Sequence, residues 1–156
     1  MPPGYRFKSK IGLIAALCAV ALTLIACASG SQEKMSPIKV EIVTTDSGFQ
    51  LQRGGKPYAI NGAGMGLEDI ENFVAHGGNS IRNWSTRNES YDTRDLLDAA
   101  YANGVTVALC LTMQSERWGF DYDDDDAVSE QLELFREEVL LYRDHPALLV
   151  WIIGLW

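Results

Sequence analysis

Residues 105–113 read VTVALCLTM and residues 147–153 read ALLVWII. Each is a nearly unbroken run of apolar and β-branched residues, without the alternation that a strand with one wet face would show. Such runs predict strands buried on both faces of a parallel sheet. Between them, Val128, Leu132, Phe135, Val139 and Tyr142 recur at helical spacing, which predicts a helix over residues 128–142 with one apolar face. The aspartates before it suit a helix N-terminus, and His145-Pro146 ends it.

Moving toward the N-terminus, the same alternation continues. Asp92 is a good N-cap for a helix that puts Leu96, Leu97, Ala100 and Tyr101 on one face before Asn103-Gly104. Residues 80–84 (SIRNW) read as a strand, and residues 67–76 as a helix with Leu67, Ile70, Phe73 and Val74 on its apolar face, stopped by Gly77-Gly78. Before that, residues 49–52 and 57–60 are expected to form a hairpin around the turn Arg53-Gly54-Gly55-Lys56. The glycine-rich NGAGMG of residues 61–66 superficially resembles a phosphate-cradling loop, but its G-x-G-x-G spacing lacks the dinucleotide interval and a Walker lysine.

A hairpin followed by β-α-β-α-β-α-β predicts an α/β fold with a parallel sheet of right-handed βαβ units. A doubly wound sheet and a (β/α)8 barrel both fit that order. In either, ligand groups gather at the C-terminal ends of strands, here expected at Asn61, residues 82–87, residues 114–118 and residues 154–156.

Composition narrows the function classes. The 156 residues are 47% hydrophobic and 22% charged, as in a soluble globular domain, and carry a formal net charge of −8. Residues 1–26 hold Arg6, Lys8 and Lys10 and no acid, so the remainder is more acidic still. That balance excludes nucleic acid as a partner, because phosphate contacts need clustered Lys and Arg. Residues 11–26 form an apolar run that falls short of the roughly 20 residues of a spanning helix but suits a signal peptide.

The run closes in Leu24-Ile25-Ala26-Cys27 and continues in small polar residues, which resembles the lipobox of bacterial lipoproteins. The resemblance implies cleavage before Cys27 and lipid attachment to it. Residues 1–26 are then a signal peptide, 27–38 a flexible tether and 39–156 the folded domain. Ala28 after the cysteine resembles lipoproteins sorted to an outer membrane, so the expected location is the cell envelope, membrane-held through Cys27. Cys18 leaves with the signal, and Cys110 is expected to be a small buried hydrophobe.

Several stretches resemble the (β/α)8 catalytic domain of glycoside hydrolase family 2 and its clan of retaining glycosidases. They are Gly55-Lys56-Pro57-Tyr58 into Ile60-Asn61-Gly62, residues 77–84 (GGNSIRNW), residues 116–122 (ERWGFDY) and residues 142–154 (YRDHPALLVWIIG). The resemblance implies O-glycosidic bond hydrolysis in carbohydrate metabolism, carbohydrate as the partner and no cofactor. In this clan the fourth strand ends in Gly-Asn-Glu, whose Glu is the general acid/base, and a second Glu on the seventh strand is the nucleophile. Here Gly154 is followed by Leu155 and Trp156, so the acid/base position falls at Trp156 and no catalytic carboxylate is present. The chain is thus expected to be the N-terminal half of a barrel, which typically takes ~250 residues, and inactive as it stands. The alternative is a non-catalytic envelope lipoprotein that binds glycans or a protein partner.

The substrate-binding candidates are Asn61, Arg82, Trp84, Glu116, Arg117 and Trp118. The resemblance gives Arg82 the place of an arginine that supports the nucleophile; otherwise it is a surface arginine. Trp84 shares a strand face with Arg82 and either stacks on a sugar or fills the barrel mouth. Asn61 is expected to end the first barrel strand, where it binds a hydroxyl or serves as a turn residue. Glu116, Arg117 and Trp118 follow the third strand, where the family often has His before the Glu and this chain has Ser115; Glu116 is assigned a substrate-side or ion-pair role. Asp121 and residues 123–126 (DDDD) invite calcium, but an EF-hand wants Gly at Asp126 and Glu at Leu132, so the run is read as a solvated helix cap. His76 and His145 alone do not make a zinc site, and no metal is expected.

Overall fold

A computed structural model describes residues 35–154, all within one compact unit. Residues 1–34, which include the expected signal peptide and Cys27, and Leu155 and Trp156 lie outside the described residues. None of the helices described is long and apolar enough to cross a membrane.

The N-terminal sheet is antiparallel: β1 (Val40–Thr45), β2 (Gly48–Arg53) and β3 (Lys56–Pro57), in that order. The glycine turn is as read, with Gly54 and Gly55 at φ 59° and 74°, the two positive angles that a tight two-residue hairpin needs. Two expectations are corrected. β1 precedes the expected hairpin, pairing Val40 with Arg53 through Thr45 with Gly48, and the strand expected over residues 57–60 ends at Pro57. The chain then turns away, and the Tyr58 hydroxyl lies 2.7 Å from the Asn79 carbonyl and 3.0 Å from Thr106 Oγ1, beneath the second sheet.

That second sheet is parallel, with β4 (Gly62–Gly64), β5 (Ser80–Arg82), β6 (Thr106–Leu111) and β7 (Leu148–Ile153) side by side in chain order. The fold is therefore mixed α/β around a four-stranded parallel sheet. Its register sets Gly64 beside Arg82, Arg82 beside Ala108 and Ala108 beside Val150, with an irregularity at Val107/Ala108 that leaves Leu149 as an extra residue. The glycine-rich stretch is thus itself a strand.

Helices α1 (Ile70–Ala75), α2 (Thr93–Ala102) and α3 (Asp125–Tyr142) connect the strands. Helix α1 is shorter than the expected 67–76, because Asp69 sits at φ 61° and offers no side-chain cap. Gly77 and Gly78 stop it for two different reasons: Gly77 takes φ 85°, and a Cβ on Gly78 would fall 2.2 Å from the Phe73 ring. Asp92 caps α2 by accepting from the Arg94 amide at 2.6 Å, as read. Asp124 caps α3 through the amides of Asp126 and Ala127, which gives the acidic run its structural use.

The core lies between the helices and one face of the parallel sheet. Ile81, Val107 and Leu109 from the strands meet Leu96, Leu97 and Ala100 of α2, with Ile70, Tyr142 and Ala147 at the margins. Two expected core positions are corrected. Leu132 is 60% exposed and Gln131 turns inward instead, its Oε1 accepting from the Gln114 amide at 2.6 Å. Tyr101 is exposed, its ring edge facing His145. His145 is itself buried: the Ala147 amide donates to Nδ1, so Nε2 carries the proton toward Asp98 Oδ1 at 2.9 Å.

Candidate functional site

The parallel strands end in Gly64, Arg82, Leu111 and Ile153, and the chain turns there into loops 65–69, 83–92 and 112–124 and to Gly154. The 83–92 loop is the most tightly held. Asn83 is fully buried; its Oδ1 accepts from the Cys110 amide at 2.8 Å while its Nδ2 donates to the Ser85 carbonyl at 2.7 Å. The Thr86 amide donates to the Cys110 carbonyl, and the Thr86 hydroxyl bonds Glu138, which also pairs with Arg87 Nε at 2.6 Å. The segment after β5 thus stays attached to β6 through one side chain and one backbone bond after the ladder ends.

The pinned loop presents Trp84, 51% exposed, with the Arg82 guanidinium 4.8 Å from its ring centroid. The ring lies directly on the backbone of β4, because a Cβ on Gly64 would fall 2.1 Å from it. At Gly66 a Cβ would come within 2.8 Å of the Tyr91 ring and 2.9 Å of a Glu68 carboxylate oxygen. Gly64 and Gly66 are therefore required by aromatic rings packed against the main chain, while a Cβ on Gly62 would fall 2.9 Å from the Ser80 carbonyl oxygen. Trp84 separates two clefts. One, of about 530 Å³, covers the sheet face away from the helices and is lined by Ile60, Ala63, Arg82, Ala108 and Val150; the other, of about 310 Å³, is lined by Glu68, Asn88, Ser90 and Tyr91.

Electrostatics here favour neutral walls. Burial pushes the Tyr91 phenol up, against a lowering hydrogen bond from Asn88 and with a further rise from Glu68. Burial also pushes the Cys110 thiol up, outweighing the nearby Arg82 charge, so this buried free cysteine is a packed apolar group as the sequence suggested. Among the described residues no cluster of three or more His, Cys, Asp or Glu is arranged to hold a metal.

The candidates do not form one site. Arg82 and Trp84 are brought together at the strand ends. Asn61 is not at a strand end: it precedes β4, its Nδ2 donates to the Gly77 carbonyl at 2.7 Å, and its amide donates to Asn79 Oδ1 at 2.8 Å. That expectation failed because the strand begins one residue later than the reading placed its end. Glu116, Arg117 and Trp118 form an exposed 3-10 turn; Trp118 is 77% exposed with the Arg117 guanidinium 5.4 Å from its ring, and none of the three lines the clefts around Trp84. Among the described residues Glu116 makes no ion pair. Asn83 and Tyr91 went unassigned in the sequence, although the glycines at positions 64 and 66 are the visible trace of the rings that flank the clefts.

No protein-family model matches the chain, and no curated protein does. Among solved structures it is similar to an exo-chitosanase from Amycolatopsis orientalis, with a TM-score of 0.53 and 19% identity. The similarity covers 75% of this chain and 15% of the chitosanase chain. At this identity the likeness is one of fold alone, an α/β arrangement with a parallel sheet.

Proposed function

We propose that the chain supplies the first four strands, with the three helices between them, of a glycoside-hydrolase-type (β/α)8 barrel and holds carbohydrate at the strand ends around Trp84. The carrying observation is Trp84 itself: a half-exposed indole, fixed on β4 by Gly64 and on β6 through Asn83, between two clefts. Such a face offers apolar stacking to a sugar ring while Arg82 and the polar lining of the smaller cleft offer hydrogen bonds. The barrel reading is supported by strands that lie in chain order without the reversal of a doubly wound sheet. It is supported too by the row Gly64, Arg82, Ala108, Val150, where large side chains alternate with small ones as in barrel layers.

A retaining glycosidase needs two carboxyls about 5–5.5 Å apart, and none of the four described strands ends in one. On this reading these units bind and orient sugar and do not themselves cleave it. The same observation favours the second reading, a glycan-binding envelope lipoprotein. In both, Cys27 carries the lipid and places the domain in the cell envelope, at a bacterial outer membrane. Cys27→Ser should abolish incorporation of labelled fatty acid.

The deciding experiment titrates the full chain with a panel of oligosaccharides while following tryptophan fluorescence, alongside aryl glycoside hydrolysis. Saturable quenching that Trp84→Ala removes and Trp118→Ala leaves intact is expected, without turnover. Turnover above background that is lost in Arg82→Ala would overturn the non-catalytic assignment, and absence of any saturable response would overturn carbohydrate binding.

A further inference from the structure

The loop that presents Trp84 also borders a further cleft, of about 260 Å³, set between Ser85 and Arg87, the residues after β6 and helix α3. None of its lining residues lines the two clefts beside Trp84. Leu134 and Phe135, both half-buried, give it an apolar side. On the polar side most hydrogen-bonding capacity is already occupied. Ser85 Oγ donates to the Arg87 carbonyl and accepts from the Arg87 amide, and Thr112 gives its hydroxyl proton to Ser85 Oγ at 2.7 Å. Each oxygen of Glu138 holds a donor, one the Thr86 hydroxyl and the other Arg87 Nε. Gln131 is the exception. It is only 9% exposed, and because the Gln114 amide can only donate, the side-chain atom that meets it must be Oε1. That leaves Nε2 with two N–H groups that donate to nothing among the described residues, in a side chain that lines the cleft. A donor so nearly buried calls for an acceptor.

We propose that this cleft binds the acyl group of a small neutral molecule, its carbonyl oxygen accepting from Gln131 Nε2 and its apolar carbons lying against Leu134 and Phe135. The chemistry of the wall selects the class. The free capacity is all donor, from Gln131 Nε2 and from the Nη groups of Arg87, neither of which is bonded among the described residues. A carbonyl oxygen only accepts and has two lone pairs to offer, whereas a hydroxyl must also place its own proton, and the acceptors around this cleft already hold donors. An anion is not favoured, because the Arg87 charge is matched by Glu138 at 2.6 Å and the wall carries no net charge. The volume lies just below the roughly 300–1,000 Å³ of pockets for drug-sized ligands, which suits a group of few heavy atoms. This site stands on its own residues and does not depend on sugar binding at Trp84.

The test is NMR of the full chain with isotope-labelled backbone and glutamine amides, titrated in turn with N-acetylglucosamine, N-acetylglycine amide, glucose and acetate. The expected result is a saturable shift of the Gln131 side-chain amide with the two N-acetyl compounds and none with glucose or acetate. The tighter of the two shows whether a sugar or an amino acid carries the acyl group. Gln131→Glu keeps an oxygen for the Gln114 amide but removes both free N–H groups, and should weaken binding, followed at the backbone amides of Ser85 and Thr112, about tenfold. Leu134→Ala leaves every one of these hydrogen bonds in place and should weaken binding through its apolar side, so it decides the matter if Gln131→Glu does not fold. Absence of a saturable shift at Gln131 would overturn the proposal. So would glucose or acetate binding as tightly as the N-acetyl compounds, or binding unchanged in either variant. Gln131→Glu should leave the Trp84-dependent quenching by oligosaccharides as it is, so the loss of one response refutes one site without touching the other.

Discussion

The two faces of the parallel sheet are built from the same strands but differ in what covers them. On one face Ile81, Val107 and Leu109 are buried against α2 and its neighbours; on the other, Arg82, Ala108 and Val150 border an open cleft. Adjacent residues of one strand, such as Ala108 and Leu109, thus answer to different demands. The covered face carries the stability of the domain, and the open face is the one to which the proposed function assigns recognition. Substitutions that respect or violate this division should have effects of very different size.

The largest effect is expected at Leu109→Ala. The side chain has no solvent exposure and belongs to the core cluster, so truncation removes its burial and leaves a cavity that neighbouring strands can only partly close. A loss of about 2–5 kcal/mol of unfolding free energy should appear in urea denaturation of the full chain. A loss below about 1 kcal/mol, the level of a typical substitution, would mean that the helix-side face is not the stabilising one.

Asn83→Ala comes next, because Asn83 joins the two faces. Truncation leaves the Cys110 amide and the Ser85 carbonyl without their side-chain partners, which should cost about 1–3 kcal/mol. It should also release Trp84, giving a red-shifted and more quencher-accessible indole in the folded protein. A variant with lowered stability and an unchanged Trp84 environment would show that the loop is held by Thr86 and Glu138 without help from Asn83.

How far the sequence disclosed this division depends on how local each signal is. Residues 105–113 announce a strand through their own composition, and Asp92, Asp124 and the Gly54-Gly55 turn act within a few residues of themselves. The covering of both faces expected of the two apolar runs is not met in β7, where Val150 is 47% and Ile153 62% exposed. The strand Gly62–Gly64 could not be read that way. Two glycines disfavour a strand locally, and both answer to distant groups: Gly64 lies under the Trp84 ring, and a Cβ on Gly62 would fall 2.9 Å from the Ser80 carbonyl oxygen of β5. Gln131 and Leu132 exchange roles for a similar reason, since the Gln114 amide needs an acceptor that periodicity does not reveal. Arg82 and Trp84 were legible as a pair because they lie two residues apart, although the strand expected over residues 80–84 ends at Arg82 and the loop after it holds Trp84. Their separation from residues 116–118 was not, because it depends on where a loop of another strand comes to rest.

The smallest effect is expected at Val150→Ala, which sharpens the comparison because Val150 sits one residue pair away from the pairing of Leu109 with Trp151. Val150 is already half solvated, so a single open-face truncation in dilute protein should cost no more than about 0.5 kcal/mol, far below Leu109→Ala. Parallel urea denaturation of the two variants therefore separates a face that is buried by folding from one that stays open to solvent. A cost of several kcal/mol at Val150 would erase the distinction between the faces.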